Sequence, residues 1–261
     1  MNTTLTNFSF RENNFEIEIP INDFLGKILS QGRIWEEYLL IFLNNFIIKQ
    51  NLENNFCIFD IGANIGYHSI IMNKLFPRVS IYAVEPHPEV IDIILRNRAR
   101  NGGNFSVLPY AVGATPGSSN ISKPDGSDSG DFHLSQEGIS VDVTTIDAIA
   151  GKIGYPNFVK LDIQGLELDA LMGAGEVISE KNAIFFVEFC PVTLNTRGCG
   201  EIDILKKIEE FGYTINIFRA HPVFCAQRVP ADILVNIFYD YVKTNNIGFF
   251  ELLIVPSSYR I

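Results

Sequence analysis

This sequence is short of basic charge. Lysine and arginine together number 20 against 30 aspartates and glutamates, and the formal net charge is -10. The summed field repels nucleic acid and anionic membrane, so neither is expected as a partner, although one local basic patch is compatible with that total. Cysteine is also sparse. The 4 present, Cys57, Cys190, Cys199 and Cys225, form no C-x-x-C pair, which argues against a zinc site and a thioredoxin-like motif. They read as reduced thiols in a cytoplasmic protein. The opening MNTTLTNFSFREN has no basic segment followed by an apolar core, so no signal peptide is expected. No long apolar run occurs either. The most apolar stretch, WEEYLLIFLNNFII, is interrupted by Glu36, Glu37, Asn44 and Asn45 and is too short to cross a bilayer. It reads as a helix with one buried face, and no membrane insertion is expected. No internal repeat is visible.

What is present is enough apolar material for a core: 47% of 261 residues, sufficient for one large α/β domain with a modest extension. From residue 56 onward, short β-branched and aromatic runs alternate with helical periods. The runs are CIFDI, VSIYAVE, FSVLPYAV, NFVKLDI, AIFFVEF, YTINIF and FFELLIV. Helices are expected near 66–76, 88–100, 166–180 and 201–211, the last with Ile204, Leu205, Ile208 and Phe211 on one stripe. This alternation is the pattern of an open α/β sheet. Residues 1–50, with a strand at FEIEIP and a helix around Trp35, read as an N-terminal extension to a domain of residues 51–261. Residues 113–138 are polar and rich in Gly, Ser and Asp, too long for an ordinary connection, and read as a lid or a mobile loop.

One further absence decides between ligands. A dinucleotide fingerprint needs G-x-G-x-x-G, whose middle glycine lets the backbone approach a pyrophosphate. From Asp60 this chain reads D-I-G-A-N-I-G, with Asn64 where the middle glycine would stand. A nicotinamide oxidoreductase is therefore disfavoured. A ligand without a pyrophosphate but with a cationic amino-acid end, such as S-adenosylmethionine, fits better. Asp60 could attract that end while Gly62 and Gly66 keep the turn close. At the end of the next strand, VEPHP places Glu85, whose carboxylate can accept from both hydroxyls of a ribose. Either glycine alone is as consistent with a turn that binds nothing, and Glu85 alone with a solvated strand end. At consecutive strand ends of one sheet, the combination favours a ligand.

FDIGANIGYHS, YAVEPHP, YAVG and above all FVKLDIQGLELDALMGA resemble the successive motifs of the FkbM-type methyltransferases, a branch of the class I enzymes that use S-adenosylmethionine. The resemblance covers roughly residues 56–190. Its K-[IL]-D-[VI]-x-G-x-E portion is the more diagnostic half, and the family's usual form has Glu where this chain has Gln164. The resemblance implies a Rossmann-like, mostly parallel seven-stranded sheet with an antiparallel last strand, for which FFELLIV is the candidate, and helices on both faces. It implies methyl transfer to an oxygen, commonly a hydroxyl of a sugar, glycan or natural product. The cofactor-binding candidates are then Asp60, Gly62, Asn64, Gly66, Glu85, Pro86 and Ala111.

Methyl transfer from a sulfonium is an in-line displacement, accelerated mainly by alignment and assisted by a base near the acceptor hydroxyl. In FVKLDIQGLE, Lys160 and Asp162 share a strand face, and Asp162 falls at the strand end. They are the first catalytic candidates, although a structural salt bridge explains the same pair. Glu188, at the end of AIFFVEF, could orient the acceptor. Glu167 opens the following helix, where a carboxylate is favoured by the helix dipole with no other role. His68, His87, His133 and His221 read as packing or solvated histidines. The scattered carboxylates Asp162, Glu167 and Glu188 do not make a dense ligand set, so no metal is expected. Two other readings stand beside O-methylation: an N-methyltransferase acting on an amine, against which KLDIQG stands where [DN]-P-P-[YF] is common, and a non-catalytic S-adenosylmethionine-binding scaffold.

Overall fold

The computed structural model describes residues 1–21, 23–49, 54–122, 133–135, 137–189, 201–219, 225–245 and 249–259. Their contacts divide into two compact units, Met1–Ala111 with Ser118–Asp142, and Val112–Gly117 with Val143–Ile261.

The first unit opens with an antiparallel hairpin of β1 (Thr3–Phe10) and β2 (Asn13–Pro20), in which Phe8 lies opposite Phe15. Arg11 makes the turn at a φ of 54°. Period-2 alternation buries Phe15, Ile17 and Ile19 on one face of β2. Two short connections lead through α1 (Phe24–Ser30), capped by the Asp23 carboxylate on Leu25 N–H, and α2 (Glu37–Lys49). Three parallel strands follow, each but the last answered by a helix: β3 (Cys57–Ile61), α3 (Tyr67–Leu75), β4 (Ser80–Val84), α4 (Pro88–Arg100) and β5 (Ser106–Leu108). Every residue of β3 after Cys57 is buried, as expected for a strand covered on both faces. Burial also pushes the Cys57 thiol up to about 12, so it stays protonated and inert.

FSVLPYAV was read as one strand but forms two, β5 and β6 (Ala111–Val112), because Pro109 interrupts it. Proline has no N–H for a ladder, and Tyr110 N–H closes on Leu108 O at 3.0 Å across it, a three-residue turn. The polar segment 113–138 holds more order than a loop reading implies. It contains β7 (Gly117–Ser122) and β8 (His133–Ser135), paired antiparallel, and runs into β9 (Ile139–Thr144). Gly138, at a φ of 126°, lets the chain approach Ile121 O, where a Cβ would collide.

The second unit carries α5 (Ile146–Ile153), β10 (Phe158–Leu161), α6 (Glu167–Met172), α7 (Gly175–Ser179), β11 (Ile184–Phe189), α8 (Glu201–Glu210), β12 (Tyr213–Arg219), β13 (Cys225–Arg228), α9 (Ala231–Asn245) and β14 (Phe250–Pro256). β10 and β11 are parallel, and β14 inserts antiparallel between β11 and β12, the arrangement expected of FFELLIV. Each of the seven stretches read as strands contains one, and FSVLPYAV contains two. β13 adds to them, antiparallel on β12 with Gln227 opposite Ile217. CAQR shows no apolar alternation, so only the pairing reveals it. The single helix expected over 166–180 breaks into α6 and α7 at Gly173, where a side chain would collide with Gly113 O and Thr145. Asp147 of α5 then caps α7, accepting from Glu176 N–H at 2.9 Å and Val177 N–H at 3.0 Å.

Candidate functional site

In the first unit the candidates gather at the carboxyl ends of β3 and β4. Asp60 is fully buried, and its Oδ2 accepts from the Ser69 hydroxyl at 2.5 Å. Its charge therefore reaches the turn as a field rather than through surface contact. The turn that follows has Gly62 at a φ of 78°, Asn64 at 47° and Gly66 at 83°, so three of five residues are left-handed. Glycine adopts that conformation freely and asparagine tolerates it, which is why these residue types occupy these positions. The turn leans on β4: Gly62 N–H and Ala63 N–H both donate to Val84 O, at 3.0 and 3.1 Å.

Glu85, just past β4 and 7% exposed, is more committed than a free strand-end acid. One oxygen accepts from Asn64 N–H at 3.1 Å and the other from His87 N–H at 3.0 Å, closing a turn over half-buried Pro86. A carboxylate offers about four lone-pair sites, and these two N–H groups set the direction in which it faces. His87 is buried at the N-cap of α4, and His68 begins α3 with Nε2 3.2 Å from the buried Glu36 carboxylate. Ala111 is buried in β6. His133 belongs to β8, and His221 lies outside the described residues.

In the second unit the candidates stand on β10 and β11. Lys160, 2% exposed, donates to Asp162 Oδ2 at 2.8 Å, and the Asp162 side chain is 25% exposed just past the end of β10. The register pairs Lys160 with Phe186 and Leu161 with Val187, so Asp162 and Glu188 each follow the last pair of the ladder by one residue. Glu251 of β14 lies directly opposite Glu188. The sequence reading passed over Glu251 because FFELLIV reads only as a strand. Among the described residues, no group of three or more His, Cys, Asp or Glu side chains is arranged to hold a metal ion.

Glu167 does more than face a helix dipole. It is 2% exposed, and its carboxylate accepts from Ile163 N–H at 2.9 Å and from Gly165 N–H at 3.1 and 3.0 Å. That clamp fixes the loop after Asp162, in which exposed Gln164 sits at a φ of 54° and Gly165 at 93°. Burial outweighs these hydrogen bonds and raises the Glu167 carboxyl to about 7, with the neighbouring Asp162 charge adding to the rise.

A glycine turn after one parallel strand and an acid at the end of the next are the arrangement expected of a class I methyltransferase. A model of the methyltransferase FkbM domain matches residues 60–215, more than half of the sequence, and the chain belongs to the FkbM methyltransferase family. The hexuronic acid methyltransferase AglP of Haloferax volcanii is 27% identical over 168 residues, covering 63% of this chain and 66% of AglP. The methyltransferase sdnD of Sordaria araneosa is 41% identical over 76 residues, 29% of each chain. The chain thus spans less than two thirds of either relative. A solved methyltransferase FkbM from Methylobacillus flagellatus KT aligns with 77% of this chain and 43% of its own, at 20% identity and a TM-score of 0.45.

The cofactor of the class is S-adenosylmethionine, and the residues of the first unit fit it. Asn64 Oδ1 is buried in the turn without a hydrogen-bond partner, an acceptor left over for a ligand donor. The buried Asp60 and Glu85 carboxylates complement a cation, and a carboxylate at the end of β4 is the acceptor type that a ribose diol requires.

No helix among the described residues is long and apolar enough to cross a membrane.

Proposed function

We propose that this chain transfers a methyl group from S-adenosylmethionine to a hydroxyl of a sugar or glycan, with residues 51–261 as the methyltransferase domain and residues 1–50 as its extension. The observation that carries this reading is the Lys160–Asp162 pair: a buried ammonium at 2.8 Å holds a partly exposed carboxylate just past the end of β10. The relationship to a hexuronic acid methyltransferase supports the acceptor class.

When bound, S-adenosylmethionine supplies an electrophilic methyl on a sulfonium. Gly62, Asn64, Gly66, Glu85, Pro86 and Ala111 would hold it, and Asp60 would contribute a favourable field. Asp162 would take the proton of the acceptor hydroxyl, and Lys160 fixes the orientation of that carboxylate. General-base assistance of this kind contributes about 10²-fold or more. Glu188 accepts a hydrogen bond from a second hydroxyl of the acceptor and so sets its orientation.

The test is transfer from methyl-labelled S-adenosylmethionine to a panel of free hexuronic acids, nucleotide sugars, glycolipid fractions and small amines. Labelled ether on a sugar is the expected product. Label on amines alone would replace this reading with N-methylation, and tight binding of the cofactor with no transfer to any member would favour a scaffold.

A further inference from the structure

The family match begins at residue 60, yet the chain before it reaches the first residues of α3, directly after the cofactor turn. Glu36 stands at a φ of 47°, an unfavourable backbone for glutamate, and is 5% exposed. Such strain persists only where surroundings over-determine it. Here its carboxylate lies 3.2 Å from Nε2 of His68, two residues past Gly66, within ion-pair distance but outside hydrogen-bond geometry. The preceding residue is held as well: Trp35 N–H donates to the Tyr67 hydroxyl at 3.1 Å, and that hydroxyl donates to Trp35 O at 3.3 Å. Phe8 of the hairpin packs against the Tyr67 ring with centroids 5.5 Å apart.

A second line of contact runs through α4. Asn97, fully buried, pairs with the backbone of Glu18 in β2, accepting its N–H at 2.6 Å and donating to its carbonyl at 3.0 Å. Its amide also donates to Ile65 O, inside the turn, at 3.0 Å. One helical turn on, Asn101 repeats the two-point grip on Glu16, at 3.2 and 2.8 Å. The hairpin is thereby fastened to the helix that holds the turn.

We propose that residues 1–49 brace the cofactor turn through α3 and α4, with Glu36 as a positioning residue and Asn97 of α4 as the link between the hairpin and Ile65, so that residues 62–68 keep their binding conformation. A turn with left-handed residues at 62, 64 and 66 has many alternative conformations when free, because its glycines are permissive. The β4 contacts fix its start, through Gly62 and Ala63, and Glu85 fixes Asn64. Asn97 fixes Ile65, and the brace meets Tyr67 and His68. Pre-ordering the turn removes that ordering from binding and so strengthens affinity without any direct contact to the ligand.

This inference rests on the cofactor assignment above, and its experiment separates the two. S-adenosylhomocysteine is titrated calorimetrically into wild type, Glu36→Gln, Tyr67→Phe and Lys206→Ala, each checked for cooperative thermal unfolding above the working temperature. Glu36→Gln is expected to raise Kd about tenfold and Tyr67→Phe about threefold, whereas Lys206→Ala, at an exposed position of α8 outside the brace, leaves it unchanged. Amide hydrogen exchange in Glu36→Gln should quicken at residues 62–68 and not in β4, a localisation that general destabilisation would not produce. Wild-type affinity in folded Glu36→Gln and Tyr67→Phe would overturn the brace while leaving the cofactor assignment standing. No heat with wild type would overturn both.

Discussion

Glu167 gives the chain a measurable pH signature. The folded carboxyl is raised to about 7 from an ordinary 4.5, chiefly because burial penalises its charge. That gap corresponds to about 3 kcal/mol between protonation states. Between those two pH values the folded chain keeps the proton that the unfolded chain has shed. Stability must then fall as pH rises through the window, and the loss levels off above about 7. Glu167→Gln removes the titration and retains an amide oxygen where Oε1 accepts from Ile163 N–H and Gly165 N–H. Other carboxylates also titrate here, so the quantity of interest is the wild-type stability minus that of the variant. Urea unfolding at pH 4 and pH 8 should show this difference falling by about 3 kcal/mol as pH rises. Parallel curves, agreeing within about 0.5 kcal/mol at both ends, would refute the reasoning and mean that the three backbone contacts fully offset burial.

Four other outcomes are open to direct measurement. Glu85→Ala should weaken S-adenosylmethionine binding by about 1–3 kcal/mol in calorimetry, since it removes the acceptors for two hydroxyls as well as the anchors of Asn64 and His87. Gly62→Val should abolish cofactor binding, because a β-branched residue is strongly disfavoured at a φ of 78°; a folded variant with wild-type affinity would remove the turn from the site. Asp162→Asn should lower turnover about 10²-fold with cofactor affinity kept; wild-type turnover per folded molecule with a lowered melting temperature would make the pair structural. Treatment with EDTA should leave methyl transfer intact, and activity restored by magnesium after its loss would require a metal.

The fold was legible where local pattern and tertiary role coincide. β3, β4, β10 and β11 are buried runs of β-branched and aromatic residues, and such runs read as strands whatever surrounds them. β14 was legible for the same reason, while its direction came from the family resemblance. The departures arose where a single residue overrules the run. Pro109 ends β5 because a ladder needs its N–H, and Gly173 splits α6 from α7 because no side chain fits against Gly113 O. β7 and β8 are too polar to announce themselves. They are ordered by pairing Asn120 with Ser135 and Ile121 with Leu134, a property of two segments rather than of either.

The candidate site divides along the same line. Gly62, Gly66, Glu85 and Asp162 were legible because strand ends are where this architecture exposes polar groups, so a glycine or an acid following an apolar run carries meaning. Glu36 read as an interruption of an apolar helix, and Asn97 as one more polar residue on a helix that carries several. Their contacts span 32 residues from Asn97 to Ile65 and 79 from Asn97 to Glu18, separations over which no periodicity operates. Glu167 was visible but misjudged for a related reason. Its position at the start of α6 supplies a sufficient local explanation, the helix dipole, while the contacts that raise its carboxyl run backwards to the backbone of Ile163 and Gly165. Residues that hold a ligand must face it from strand ends and so leave a local trace; residues that hold the holders can come from anywhere in the chain.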